Sequence, residues 1–364
     1  MIAYLLVFIA AAATTFLLTP LVRKFVIRAG AVDRPSDRKV HPRATPTMGG
    51  IAMYAGLLAG LLVSRFLPFF KLMNIGSPEP KAVLVCCTLI VALGIVDDKR
   101  GISALTKLTG QIFVVGILIL AGSQLLFFWL PGLGIVVLGQ DYAVLLTLIW
   151  VVAVVNAVNL VDGLDGLAAG MVAIAAAAFF IYMVREPSQF GLASSAALLS
   201  AIIVGICVGF LPWNFYPAKI FMGDSGSMLL GLLLAVATMA GVGRNPTKPS
   251  GGDLAATAGA VVVPLLVLFI PFLDVALAVT RRTWRGQGIG HADKEHIHHR
   301  LLDIGHTHRG TVLLMYLWSA LISASALAIG FIDNRVVVGA ILLASLMLFL
   351  ATALPRLTNR RKPG

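Results

Sequence analysis

Eleven long, unbroken apolar runs dominate this chain and leave it few ways to fold. They fall near residues 2–22, 48–68, 82–96, 106–126, 141–158, 166–184, 190–211, 226–243, 255–280, 311–331 and 335–354. Most approach the roughly 20 residues that a helix needs to cross a hydrocarbon layer. The runs are continuous and do not alternate with period two, so they predict helices and not the strands of a barrel. Hydrophobic residues fill 59% of the 364 positions and charged residues only 12%, about half the usual share of a soluble domain. That deficit excludes an ordinary soluble protein and also a disordered one. The gaps between runs are too short for a separate soluble domain. The expectation is an all-α, polytopic integral membrane protein with about 11 transmembrane helices. The first run, Met1–Leu18, has its basic residues only after it, at Arg23 and Lys24, and reads as a retained span and not as a signal peptide. Cys86, Cys87 and Cys207 lie inside apolar runs, at spacings of neither a disulfide framework nor a metal knuckle, and read as packing residues.

The net charge of +12 then has to be placed in the short connections. Eleven spans put the termini on opposite sides, and 21 of the 28 Lys and Arg residues fall on one side. By the positive-inside rule that side is cytoplasmic, so the N-terminus lies outside and the C-terminus inside. Ten of the 16 Asp and Glu residues share this face, as do the histidines, six of the seven lying between His291 and His308. Orientation does not require acids there, so their clustering at predicted helix ends points to a site. The charge pattern is already explained by topology and gives no reason to expect nucleic-acid binding.

Several constellations on this face could carry chemistry. Asp97-Asp98-Lys99-Arg100-Gly101, with Lys107 following, places adjacent carboxylates at a helix end among cations. That suits a magnesium and phosphate site, since Mg²⁺ takes oxygen ligands and shares them with substrate phosphates; a solvated loop with a capping Asp is the simpler alternative. Asn156-Ala-Val-Asn159-Leu-Val-Asp162-Gly163-Leu-Asp165-Gly166 closes one apolar run and opens the next. Asn159 and Asp162 share a face if the helix continues. Phe221-Met-Gly-Asp224-Ser225-Gly-Ser227 precedes a span, where Asp or Ser could cap the helix or its N-terminus could meet an anion. His296-Ile-His298-His299-Arg300 could grip a sugar diphosphate, and without cysteine or an HExxH arrangement it is a poor zinc site. Asp33 to His41 forms a basic loop containing Lys39, and Gly49-Gly50 enters a span and predicts close helix packing. Asp274 is a carboxylate within the ninth run. No phosphate-binding P-loop, dinucleotide fingerprint or nucleophile elbow is present. A secondary transporter, the remote alternative, predicts polar residues near mid-membrane, whereas here nearly all sit at one interface.

The ordered set Asp97-Asp98, Asn159-x-x-Asp162-Gly-x-Asp165-Gly, Phe221-Met-Gly-Asp224-Ser-Gly and His296-x-His298-His299-Arg300 resembles the polyprenyl-phosphate N-acetylhexosamine-1-phosphate transferases, glycosyltransferase family 4. The likeness runs over residues 30–310, and the form of the histidine motif with Leu301-Leu302 is similar to the bacterial UDP-GlcNAc branch. The resemblance implies one transmembrane transferase domain over 1–364, with catalytic cytoplasmic loops near 23–47, 97–107, 159–166, 212–226 and 281–310. It implies transfer of GlcNAc-1-phosphate from UDP-GlcNAc to undecaprenyl phosphate, with UMP released, at the cytoplasmic face of the bacterial inner (plasma) membrane. A phospho-N-acetylmuramoyl-pentapeptide transferase or another UDP-N-acetylhexosamine specificity is the alternative. Mg²⁺, with Mn²⁺ as a substitute, is the implied cofactor, and a homodimer the implied assembly. Residue by residue, the resemblance assigns the metal to Asn159 and Asp224 and the catalytic pair to Asp97 and Asp98. It gives substrate contacts to Lys39, His41, Lys107, Asp162, Asp165, His296, His298, His299 and Arg300.

Overall fold

The computed structural model describes residues 1–33, 44–71, 79–130, 134–185, 194–242, 301–302, 305–332 and 335–353. Ten α-helices occur among them: α1 (Ile2–Arg28), α2 (Gly50–Phe66), α3 (Glu79–Arg100), α4 (Ala104–Leu120), α5 (Gln140–Val161), α6 (Leu167–Arg185), α7 (Ser195–Asn214), α8 (Gly223–Val242), α9 (His308–Phe331) and α10 (Arg335–Ala353). Each coincides with one of the predicted runs. The ninth run, near 255–280, and Asp274 within it lie outside the described residues. Seven of the described helices are long and apolar enough to cross a membrane, and α2, α4 and part of α10 form shorter apolar helices. The chain is an all-α polytopic membrane protein, as its exposed surface confirms. Leu5, Ile9, Phe16, Leu17 and Leu21 of α1 and Leu343, Leu346 and Met347 of α10 are large apolar side chains left uncovered. In water such stripes would drive aggregation; against acyl chains they are the expected outer face.

Helix starts follow from local chemistry. Ser103, extended, accepts a hydrogen bond from the N–H of Thr106 and opens α4. Thr307 does the same for α9 through the N–H of Gly310, each satisfying a donor that the first turn leaves unpaired. The fourth run ends differently from expectation. Its helix stops at Leu120, and the chain turns into an antiparallel hairpin, β3 (Phe127–Leu130) with β4 (Gly134–Val137). Aromatic and β-branched residues on both sides of Pro131-Gly132 favour strands. A shorter ribbon pairs β1 (Val32–Asp33) with β2 (Thr45–Pro46).

α8 is the axis of the bundle. It packs against α2, α3, α5, α6 and α7, and most of its length is buried, whereas α1 lies at the periphery and is largely uncovered. Glycines let its N-terminal end come close to two neighbours. A Cβ on Gly94 of α3 would stand 2.4 Å from the Ser225 Cα, and one on Gly50 of α2 would stand 2.3 Å from the Gly226 nitrogen. The close packing expected at Gly50 is thus present, and it is packing around the segment that carries Asp224. Backbone pairing reinforces it: the N–H groups of Gly49 and Gly50 donate to the carbonyls of Phe221 and Met222, both at 2.9 Å. Cys86, Cys87 and Cys207 are buried free thiols, as packing residues should be.

Candidate active site

Polar helix ends meet at one end of the bundle. α3 finishes there with Asp97 and Asp98, α4 begins with Lys107 in its first turn, and α5 finishes with Asn159 just before Asp162. Asp165 precedes α6, Asn214 closes α7, Asp224 opens α8 and His308 opens α9. Helices of alternating direction therefore deliver their termini to one surface, bringing together residues up to 211 positions apart.

Asp98 and Asp97, adjacent in sequence, do different things. Asp98 is spent on the start of α8. Its Oδ1 accepts from the N–H of Asp224 at 2.8 Å and from Thr47 Oγ1 at 3.3 Å. Its Oδ2 accepts from the N–H and the hydroxyl of Ser225, at 3.2 and 2.9 Å. A helix N-terminus attracts an anion, and here the anion is a carboxylate from a neighbouring helix. Gly223 makes this possible: its φ is +70°, and a Cβ there would lie 2.5 Å from both Asp98 carboxylate oxygens.

Asp97 turns the other way, to Lys107. The Lys107 ammonium lies 3.0 Å from Asp97 Oδ2, 2.8 Å from Asp224 Oδ2 and 3.2 Å from Asn159 Oδ1. Asp97 Oδ1 accepts from the N–H of Ile102 at 2.9 Å. The Asn159 amide is oriented from behind, its Nδ2 donating to Asp224 Oδ1 and, at 2.8 Å, to Ser227 Oγ. Its oxygen consequently faces the ammonium. One helical turn deeper, Gln111 of α4 and Asn156 of α5 form an amide pair. Asn156 Nδ2 donates to Gln111 Oε1 at 2.6 Å and to the Val152 carbonyl at 2.8 Å, while Gln111 Nε2 reaches Asn156 Oδ1 at 3.5 Å. This pair ties together the two helices that carry Lys107 and Asn159.

A second group surrounds Asp165. Its Oδ2 accepts from the N–H of Ala218 at 2.8 Å, and its own N–H donates to His308 Nε2 at 3.2 Å. The His308 ring stacks on Tyr216, with centroids 4.3 Å apart, and Arg309 donates to the Tyr216 carbonyl at 3.2 Å. Asn214 accepts from the Gly166 N–H at 3.1 Å, and the Tyr316 hydroxyl donates to the Gly166 carbonyl. Asp162 is half-buried between the two groups. Burial first, and then the like charges of Asp224, Asp98 and Asp165, push its carboxyl well above the usual carboxylate range.

Seven of the predicted residues, Asp97, Asp98, Lys107, Asn159, Asp162, Asp165 and Asp224, therefore share one end of the fold. Lys39, His41, His296, His298, His299 and Arg300 lie outside the described residues. Sequence reasoning gave no site role to Thr47, Gln111, Ser227, His308 or Tyr316, although Ser227 and His308 fell inside stretches it had marked. Gln111 and Ser227 carried a usable signal, as polar residues within apolar runs.

The fold and this end of it define a class: a polytopic membrane protein with carboxylates and a lysine gathered where its helices terminate. Comparison with known proteins makes the class specific. The model of glycosyl transferase family 4 matches residues 81–242. A decaprenyl-phosphate N-acetylglucosaminephosphotransferase of Mycobacterium leprae is 42% identical over 362 residues, 98% of this chain and 91% of its own. A probable undecaprenyl-phosphate N-acetylglucosaminyl 1-phosphate transferase of Bacillus subtilis is 36% identical, covering 90% and 86%. The undecaprenyl-phosphate alpha-N-acetylglucosaminyl 1-phosphate transferase of Escherichia coli K12 is 31% identical, covering 83% and 77%. The chain belongs to glycosyl transferase family 4 and is a membrane-embedded transferase.

Proposed function

We propose that the protein transfers N-acetylglucosamine-1-phosphate from UDP-GlcNAc to a polyprenyl phosphate, releasing UMP and leaving GlcNAc-diphosphoryl-polyprenol. The observation that carries this reading is the convergence of oxygens from Asp97, Asn159 and Asp224 on a single cation, the Lys107 ammonium, at one end of the bundle. The names of the relatives supply the substrate class. The Mycobacterium leprae relative is named for decaprenyl and the Bacillus subtilis relative for undecaprenyl phosphate, so the acceptor is taken as one of these two lengths.

The reaction joins an oxygen of the lipid phosphate to the β-phosphorus of the donor and breaks the bond from that phosphorus to the bridging oxygen, which leaves with UMP. A phosphate monoester has a second pKa of about 6, so the nucleophile is largely ionised at neutral pH and has little need of a base. The work left to the protein is alignment and charge neutralisation. Asp97, ion-paired to Lys107, is a positioning group in this scheme. Asp98 holds the start of α8 and hence Asp224. Asp165 and the ordered loop around it present a polar face for the nucleotide.

The donor set suits Mg²⁺. Asn159 and Asp224 offer hard oxygen ligands, and their oxygens already face a common cation. Among the described residues no three His, Cys, Asp or Glu side chains form a protein-only cage, and Mg²⁺ characteristically completes its shell with water and substrate phosphate. When bound, it would supply Lewis-acid stabilisation of the diphosphate and of the departing UMP.

The proposed topology has eleven spans, with the N-terminus outside and the site at the cytoplasmic face of the plasma membrane. The excess of Lys and Arg on that side supports the orientation. α8 and α9 both begin at the site end, a parity that eleven spans satisfy. The lipid phosphate at the bilayer surface and a soluble nucleotide sugar would both reach helix ends placed there. The test is UMP release by purified protein with Mg²⁺, decaprenyl or undecaprenyl phosphate, and either UDP-GlcNAc or UDP-MurNAc-pentapeptide. Release with UDP-GlcNAc is expected; no release with either donor overturns the assignment.

A further inference from the structure

Lys107 stands where a helix least favours a cation. It lies in the first turn of α4, where the helix dipole repels positive charge. What holds it is three oxygens on three other helices, Asp97 Oδ2 on α3, Asn159 Oδ1 on α5 and Asp224 Oδ2 on α8, all within 3.2 Å. An ammonium has three hydrogens to donate, and these contacts account for all of them. The side chain is only 15% exposed, so it is enclosed by the cluster and not draped across it.

Two of those three residues, Asn159 and Asp224, are the proposed ligands of the divalent cation. The same oxygens are therefore claimed by two cations. Asp97, Asp224 and Lys107 together carry one net negative charge. Replacing the ammonium by a divalent ion would bring the cluster to neutrality. Keeping both would press a double and a single positive charge into contact, which Coulomb repulsion opposes. A flexible four-carbon stem with a compact charged tip lets a lysine ammonium swing away from the cluster.

We propose that Lys107 is an exchangeable internal counter-ion. It neutralises the acidic cluster in the metal-free protein and is expelled when the divalent cation binds. Expulsion frees its ammonium for the diphosphate of the donor, so the lysine that guards the cation site becomes a substrate contact only after the cation has arrived. This inference rests on the cation reading of Asn159 and Asp224.

The test uses chelator-stripped full-length protein in nanodiscs, with three forms: wild type, Lys107→Gln and Asp224→Asn. Calorimetry with Mn²⁺ reads cation affinity, and mass spectrometry after acetic anhydride treatment reads the accessibility of the Lys107 amine. In the wild type, saturating Mn²⁺ should raise Lys107 acetylation several-fold. Lys107→Gln, freed of the competing charge, should bind Mn²⁺ about tenfold more tightly. If Mn²⁺ binds the wild type but Lys107 acetylation is unchanged or falls, the exchange is refuted, whether or not Lys107→Gln folds. Equal Mn²⁺ affinity in Lys107→Gln and wild type also refutes it. If Asp224→Asn binds Mn²⁺ as the wild type does, the cation reading itself fails, a different result from the failure of exchange.

Discussion

Replacing Asp98 separates two roles that adjacent carboxylates are easily assumed to share. In Asp98→Ala the N–H groups of Asp224 and Ser225 lose their acceptor, and the hydroxyls of Ser225 and Thr47 lose a partner. Loss of a helix cap costs about 0.5–2 kcal/mol. Each partly buried donor left unpaired costs about 1–3 kcal/mol. Water will relieve some of this at a helix end, so a loss of about 3–5 kcal/mol is expected, comparable to breaking a buried charged cluster. Asp98→Asn keeps one acceptor oxygen but turns an NH₂ group towards donors, and should lose about 1–3 kcal/mol. Asp97→Asn should differ in kind. It retains an oxygen for the Ile102 N–H, and Lys107 keeps Asp224, so stability changes less while turnover falls by a similar factor from pH 6 to pH 8. Denaturant unfolding in mixed micelles reads the first quantity, and UMP release across pH reads the second. An Asp98→Ala protein within about 0.5 kcal/mol of wild type, the range of an uninvolved surface change, would refute the capping role. An Asp97→Asn enzyme active at pH 8 but failing at pH 6 would restore the base role to Asp97.

Other consequences follow from the packing and charges of the same end. Gly94→Ala should destabilise by about 1–3 kcal/mol through overpacking, because its Cβ would press on the backbone of Ser225. Gly116→Ala in α4, with nothing within 4 Å of its added carbon, should be neutral or slightly stabilising in the same unfolding assay. Asp162→Asn should raise the thermal stability of the metal-free protein at pH 8. The raised carboxyl means that ionisation costs the folded state, so wild-type stability falls as pH rises from the ordinary value of about 3.9 through the raised one. The advantage of the variant should therefore fade as pH is lowered towards 4, and a gain independent of pH would count against the electrostatic cause. Gln111→Ala should cost about 1–3 kcal/mol by leaving the Asn156 amide short of partners. The double replacement Q111L/N156L should cost less than the sum of the single changes, as a double-mutant cycle would show.

What could be read from the chain and what could not divides along a physical line. A span announces itself because roughly 20 consecutive apolar residues have few other uses, and the described helices lie where the runs predict. The Asp97, Asn159 and Asp224 segments were also visible, since charge at the edge of an apolar run is expensive unless employed. Which oxygen of which carboxylate faces which helix depends on how helices distant in sequence cross, and no local pattern encodes that. Asp97 and Asp98 read as one pair because their spacing is one residue. On α3 they point about 100° apart, one towards the Lys107 ammonium and the other towards the N–H groups of α8. Likewise, Gln111 looked like an isolated polar residue in a span until α4 and α5 were set side by side, when it became the partner of Asn156. His308 was one histidine among several until α9 placed it under Asp165 and against Tyr216. Sequence thus locates polar groups that must be employed, and helix packing decides the employment. At this site the packing is set chiefly by Gly50, Gly94 and Gly223, which admit α8 closely enough for Asp98 to hold it and for Asp224 to reach Lys107.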